Sequence, residues 1–310
     1  MIKNGIAQIL ISVKDLDESI EFYRDVLQMT VVGEYSLDKN TIEQLWNLPS
    51  ETTAKAACLK NNEQTPLLEL IKFQPRSEQY IRPGGNTTDY GLFTIAFRAK
   101  NVDAAYASLK EKGYQFICPP ITYNPSWVPV TVKEAIMVAP NETAIALIER
   151  VSEPIPEFEG DFGIMLDTSQ VVEDIEEVTK FYVDILGLNI VFDKVLPSGM
   201  VDDILNFPPG TESRMAFINQ TGSKNAALEF IQCSVEGKSL ANVAKPPHLG
   251  LFAIAFAVDD LSALIQQLQT NNINILSESV EISSCDRKSA RAIIVEAPNR
   301  VNIQFFESSI

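Results

Sequence analysis

The feature that most constrains this chain is a heptapeptide that occurs twice. Gly91-Leu92-Phe93-Thr94-Ile95-Ala96-Phe97 returns as Gly250-Leu251-Phe252-Ala253-Ile254-Ala255-Phe256, 159 residues later, with a single difference of Thr94 against Ala253. An apolar run of this kind carries weight only if other segments repeat at the same spacing, because a duplicated fold keeps its whole framework. Phe22-Tyr23 returns as Phe181-Tyr182, and Leu48-Pro49 as Phe207-Pro208, both at 159. Leu68-Glu69 returns as Leu228-Glu229 at 160, and Ala139-Pro140-Asn141 as Ala297-Pro298-Asn299 at 158. A drift of one residue either way is what loops absorb. The chain is therefore read as two homologous halves in tandem.

Its length of 310 residues agrees with two domains, each large enough for its own core. With 45% hydrophobic and 21% charged residues the composition is that of a globular protein. No run of 18 apolar residues occurs, so no membrane-spanning helix is expected. The N-terminus, Met1-Ile2-Lys3-Asn4-Gly5, lacks the apolar region and cleavage site of a secretory signal, so a cytoplasmic protein is expected. A net charge of −16 argues against nucleic acid and anionic membranes as partners. Cys58, Cys118, Cys233 and Cys285 are widely separated and form no Cys-x-x-Cys pair; they are expected to be buried free thiols. The single histidine, His248, rules out every multi-histidine metal site.

Taken in order, residues 5–13 read as a strand. Asp15 stands at a helix start with acids in the first turns, and Ile20, Phe22, Tyr23, Val26 and Leu27 give an apolar helical face. Strands are expected at 29–36, 53–60 and 66–73, with a short helix or turn at 40–47. A loop at 82–89 leads to a strand at 91–99, a helix at 102–112 stopped by Gly113, and strands near 114–118, 130–138 and 143–149. The proline-rich segment Val151 to Phe158 reads as a linker. The pattern then restarts with a strand at 162–168, a helix near 173–186 led by Asp174, and strands near 189–193, 213–218 and 226–232. The last unit runs from 250 to the end, with a helix over Leu261 to Leu268. The expected class is α+β, with four β-α-β-β-β units as two tandem domains. The first spans residues 1–151 (units 1–80 and 90–150), the linker 152–160 and the second 161–310. Helices must cover one face of each sheet, and two sheets side by side would curl around a cleft.

The run from Val13 to Leu27, a strand followed by Asp-Leu-x-x-Ser-x-x-Phe-Tyr-x-x-x-Leu, resembles the opening of vicinal oxygen chelate proteins. These include glyoxalase I, bleomycin-resistance proteins and extradiol dioxygenases. Phe181-Tyr182-Val183-Asp184-Ile185-Leu186-Gly187-Leu188 is closer still, and Ala-Pro-Asn before the last strand of each half also fits. The resemblance covers nearly the whole chain. It implies two glyoxalase-like domains of curved mixed sheets, and says little about function because this fold hosts many activities. Carried over position by position, the family's metal-ligand positions fall on Gln8, Glu69, Thr94 and Ala146 in the first half. In the second they fall on Glu229, Ala253 and Gln304, with the first-strand position on Asp167 or on Met165 depending on the gap chosen. Neither half keeps the fifth-strand histidine. A cleft shared between the halves would offer Gln8, Glu69 and Gln304 beside Ala253. That set is poor for a transition metal. No metal and no cofactor are expected, with a weakly held Mg²⁺ left open.

Glu69 and Glu229 sit among apolar neighbours. Facing a cleft they would serve as general acid or base, with pKa values raised by desolvation; facing solvent they would be ordinary carboxylates. His248 precedes a strand as either a titrating group or a surface residue. Trp46, Phe93, Trp127 and Phe252 fit core packing, or the walls of a site for a flat apolar ligand. Gln8, Thr94 and Gln304 complete the candidate ligand-binding set. The function expected first is binding of a hydrophobic or aromatic small molecule. A metal-independent isomerase or lyase using Glu69 or Glu229 is the alternative, and a glyoxalase-like or dioxygenase-like metalloenzyme with an atypical site the second. A half kept only as structural support is a further possibility. A monomer is expected, because the four units can build their clefts without a second chain.

Overall fold

The computed structural model describes residues 1–61, 66–125, 129–154, 158–223, 226–283 and 289–308. Unit one contains β1 (Ile2–Ser12), β2 (Thr30–Ser36), β3 (Thr53–Lys60) and β4 (Leu67–Gln74), and unit two β5 (Gly91–Ala99), β6 (Gln115–Tyr123), β7 (Val132–Ala139) and β8 (Thr143–Arg150). Unit three contains β9 (Phe162–Val171), β10 (Asn189–Val195), β11 (Ser213–Asn219) and β12 (Ala227–Cys233). In unit four β13 (Gly250–Val258) is followed by two short strands, β14 (Asn274–Ile275) and β15 (Val280–Ser283), then β16 (Ser289–Glu296) and β17 (Asn302–Ser308).

Each unit carries its helix after its first strand: α1 (Leu16–Glu21), α2 (Val102–Glu111), α3 (Ile175–Lys180) and, beyond the short α4 (Asp202–Leu205), α5 (Leu261–Thr270). The caps are those the sequence announces. Asp15 accepts from the N–H groups of Asp17 and Glu18, and Asp174 from those of Glu176 and Glu177. Both helices then widen into a π-helical turn at the repeated Phe-Tyr pair. There Phe22 meets Tyr23, and Phe181 meets Tyr182, edge to face at 5.0 Å. The glycine opening each copy of the heptapeptide has a positive φ, +144° at Gly91 and +121° at Gly250. A Cβ on Gly250 would stand 3.2 Å from the Asn141 carbonyl oxygen, so backbone and packing both ask for glycine.

The units do not pair in chain order. One sheet runs β14-β16-β17-β13-β1-β4-β3-β2, joining units four and one, with β15 against β16. The other runs β10-β11-β12-β9-β5-β8-β7-β6, joining units three and two. The seams join units of opposite halves: β1 lies antiparallel to β13, and β5 antiparallel to β9. A first strand whose other edge is already hydrogen-bonded to the fourth strand of its unit needs an outside partner, and the first strand of a distant unit supplies it.

The largest apolar cluster contains residues of both sheets and of α1, α2, α3 and α5, so the helices are sandwiched between the sheets. Two smaller clusters lie on the opposite, concave faces, one per sheet. The expectation of four buried free thiols needs correction. Cys118 is free and buried and Cys233 free and half-buried, but Cys58 is disulfide-bonded, a pairing that sequence spacing cannot reveal. Cys285, Trp127 and part of the expected linker lie outside the described residues. Among those described, no helix is long and apolar enough to cross a membrane.

If the seams hold the fold together, residues 1–151 expressed alone leave the inner edges of β1 and β5 unpaired. Light scattering after size exclusion should show dimers or larger species; a stable monomer with intact tertiary structure would contradict this topology.

Candidate functional site

Each concave face forms a cleft. Cleft one, on the sheet of units one and four, is lined by Gln8 on β1, Glu69 on β4, Tyr35 on β2 and Gln304 on β17, with Trp46, Ile282 and Phe306 around them. It is nearly full, with a residual hollow of about 20 Å³. Trp46 is buried edge to face on Phe252 at 5.1 Å, and Phe252 is wholly inside the apolar cluster. The Tyr35 hydroxyl donates to Glu69 Oε1 at 2.5 Å. Burial pushes the Glu69 carboxyl up, and Tyr35 opposes the shift. Glu69 thus has a partner and little room beside it.

Cleft two, on the sheet of units two and three, is open, with a cavity of about 370 Å³. Its walls include Phe93, Ile136, Leu166, Phe192, Leu205 and Phe217. Three acids face into it: Glu134 from β7, Asp167 from β9 and Glu229 from β12. The Tyr123 hydroxyl donates to Glu134 Oε2 at 2.7 Å. Burial pushes Glu134 up to about 7, with Tyr123 opposing. Asp167 is also raised to about 7, by burial and then by the charge of Glu134. Glu229 is pushed well above the carboxylate range, by burial and then by Asp167 and Glu134. Thr94 lines the same cavity, but its Oγ1 is shared with Ser169 Oγ at 2.6 Å.

The repeat explains why one cleft is full and the other is not. Leu205 stands 159 residues after Trp46, so an isobutyl group takes the place of an indole. At the same spacing Lys194, exposed on β10, replaces Tyr35, and among the described residues no phenol donates to Glu229. Gln8 becomes Asp167 at 159, and Ala292 corresponds to Glu134 at 158.

The structure therefore gathers Gln8, Glu69, Trp46 and Gln304 in cleft one, over Phe252, and Phe93, Thr94 and Glu229 in cleft two. Of the two first-strand alternatives, Asp167 faces the cavity, while Met165 belongs to the central core. His248 lines neither cleft; its Nδ1 lies 3.0 Å from the Val243 carbonyl oxygen. Glu134 and Tyr123 escape the sequence reading. A wider groove of about 720 Å³ opens near the start of α3, but its Arg214 is already paired with Asp193 at 2.8 Å, and its surface is polar and open. The concave, largely apolar cleft two is the better ligand site.

Neither cleft fits a divalent metal well. Cleft one offers one carboxylate, held by Tyr35, and two amides. Among the described residues no group of three or more His, Cys, Asp or Glu side chains converges as a metal site, the three acids of cleft two included.

The raised carboxyl of Glu134 has a consequence for stability. Between its ordinary value of 4.5 and about 7, the folded protein holds a proton that the unfolded chain has lost, so stability falls as pH rises. In urea unfolding at pH 5 and pH 8, wild type should lose up to about 3 kcal/mol relative to Glu134→Gln over that interval. Parallel pH profiles for the two proteins would show that Glu134 is not perturbed.

The whole chain can now be set beside known proteins. The family model described as the Glyoxalase/Bleomycin resistance protein/Dioxygenase superfamily matches residues 5–124 and 164–305. Glyoxalase I from Zea mays superposes with a TM-score of 0.66 at 16% identity, over 97% of this chain and 92% of that one. A protein from Bacillus subtilis subsp. subtilis str. 168, provisionally named a dioxygenase, does so with a TM-score of 0.60 at 12% identity, over 100% and 86%. Among curated proteins none matches in sequence. Identities this low establish shared fold alone. The family match over both halves, with the doubled unit architecture, places this chain in the Glyoxalase/Bleomycin resistance protein/Dioxygenase superfamily.

Proposed function

We propose that cleft two is the working site and that it binds a small, predominantly apolar molecule without a bound metal. The observation that carries this reading is the contrast in free volume, about 370 Å³ in cleft two against about 20 Å³ in cleft one. The larger value falls within the range of small-molecule pockets, and the wall has their usual composition of aromatic and aliphatic side chains with a few polar groups. Cleft one, closed by Trp46 and Phe252, serves as core. One chain completes both clefts, so a monomer suffices.

Metal-independent proton transfer is the second reading. It is favoured by carboxyl groups held near neutrality, where a group can both accept and release a proton. Glu229, with no hydroxyl donor beside it, would be the acid-base residue. Glu229→Gln separates the readings, abolishing turnover if proton transfer is the function and only adjusting affinity if binding is.

Restoring the indole found in cleft one should close cleft two. N-phenyl-1-naphthylamine, a neutral fluorophore, is expected to brighten with wild type and not with Leu205→Trp. Equal enhancement by both proteins, with the variant shown to be folded by circular dichroism, would move the binding site elsewhere.

A further inference from the structure

We propose that the ligand of cleft two carries an organic cation, an ammonium or amidinium group on an apolar body, held by Asp167, Glu229 and Glu134; this rests on cleft two being the binding site. The wall brings three carboxylates from both units into one cavity, and among the described residues none of the three has a cationic side chain paired with it. Asp167 is only 8% exposed, yet it accepts no hydrogen bond from any described residue, and neither does Glu229. A buried carboxylate without donors is costly, and native structures rarely keep one without a use. Glu134 has the Tyr123 hydroxyl, a neutral partner.

The basic groups nearby are engaged elsewhere. Arg150, the one cationic side chain among the cavity-lining residues described, sits at the rim with Nη1 3.3 Å from Glu153 Oε1. Arg98, buried on β5, has Nη2 3.6 Å from Glu153 Oε2 and does not line the cavity. Lys194 is exposed on the edge strand and does not line the cavity. The negative charge is not a property of the scaffold either. The matching positions in cleft one are Gln8, Glu69 and Ala292, which hold one acid, and that acid has a phenolic donor.

The surroundings say which kind of cation. The three acids do not converge on one point as a metal site does. The rings of Phe192 and Phe217, with centroids 6.2 Å apart, line the same cavity. Aromatic faces and spread carboxylates suit a weakly hydrated organic cation with an apolar body better than a small, strongly hydrated metal ion. In the absence of the cation, Asp167 and Glu134, each raised to about 7 chiefly by burial, are partly protonated at neutral pH. Entry of the cation must then expel protons.

Isothermal titration calorimetry of the full chain at pH 7 tests this with three probes of one shape: 1-naphthylmethylamine, 1-naphthalenemethanol and 1-naphthoate. The amine is expected to bind at least about tenfold more tightly than the alcohol, the factor that 1.4 kcal/mol of charge interaction provides, and the carboxylate to bind more weakly than both. Amine binding should release protons, seen as a heat that varies with the ionisation enthalpy of the buffer. In the double variant Asp167→Asn, Glu229→Gln the preference for the amine should fall to about threefold or less. Equal affinities for amine and alcohol would overturn the cation inference while leaving cleft two as a binding site. Binding of none of the three would overturn both. Mg²⁺ or Mn²⁺ binding that depends on Asp167 and excludes the amine would assign the acids to a metal instead.

Discussion

The architecture depends on two antiparallel seams, β1 against β13 and β5 against β9. Each β-α-β-β-β unit ends up with a first strand hydrogen-bonded on one edge only. An edge of that kind, long and apolar, has to be paired or covered. Pairing it with the first strand of a unit far away in the chain closes both sheets at once and turns the helix-bearing faces toward each other. The helices fill the space between the sheets and make one large core. Each concave face is left to be lined by two units that come from opposite halves of the chain.

That arrangement lets duplicated sequences diverge without disturbing the frame. The seams are held mainly by backbone hydrogen bonds, with Thr94 and Ser169 also meeting across one of them, so most side chains on the concave faces can change in one copy alone. In cleft one Trp46, Phe252 and the Tyr35–Glu69 pair turn the hollow into a third layer of core. In cleft two Leu205 and Lys194 occupy the places of Trp46 and Tyr35, and the space stays open. The heptapeptide behaves in the opposite way. All nine residues of β5 are buried, and all of β13 but one, so nearly every side chain there is fixed by packing on both faces.

What was legible in the sequence follows the same division. Caps at Asp15 and Asp174 have local causes, so they could be read from local sequence. The cross-pairing could not, because a repeat states that two segments fold alike and is silent on which of them touch. The shared cleft of Gln8, Glu69 and Gln304 was within reach only through family resemblance, and the structure does bring those three residues together. Glu134 was hidden for a different reason. On β7 the inward residues Val132, Glu134 and Ile136 alternate with Lys133, Ala135 and Met137. Both phases are largely apolar, so alternation does not show which one faces a cleft. Tyr123 was missed because β6 runs well past the expected end of its strand.

Keeping three acids in one largely apolar wall sets a limit on the rest of the molecule. A carboxyl raised from 4.5 to about 7 lowers stability by about 3 kcal/mol once the pH exceeds the raised value, an appreciable part of the roughly 5–15 kcal/mol that holds a domain folded. Burying an indole against an aromatic ring contributes about the same magnitude in the opposite direction. The filled cleft and the charged cleft rest on one central core, so a gain in the first can offset a loss in the second. A chain with a single cleft would have to carry that burden within the site itself. On this view the closure of cleft one is part of what allows cleft two to remain open and acidic.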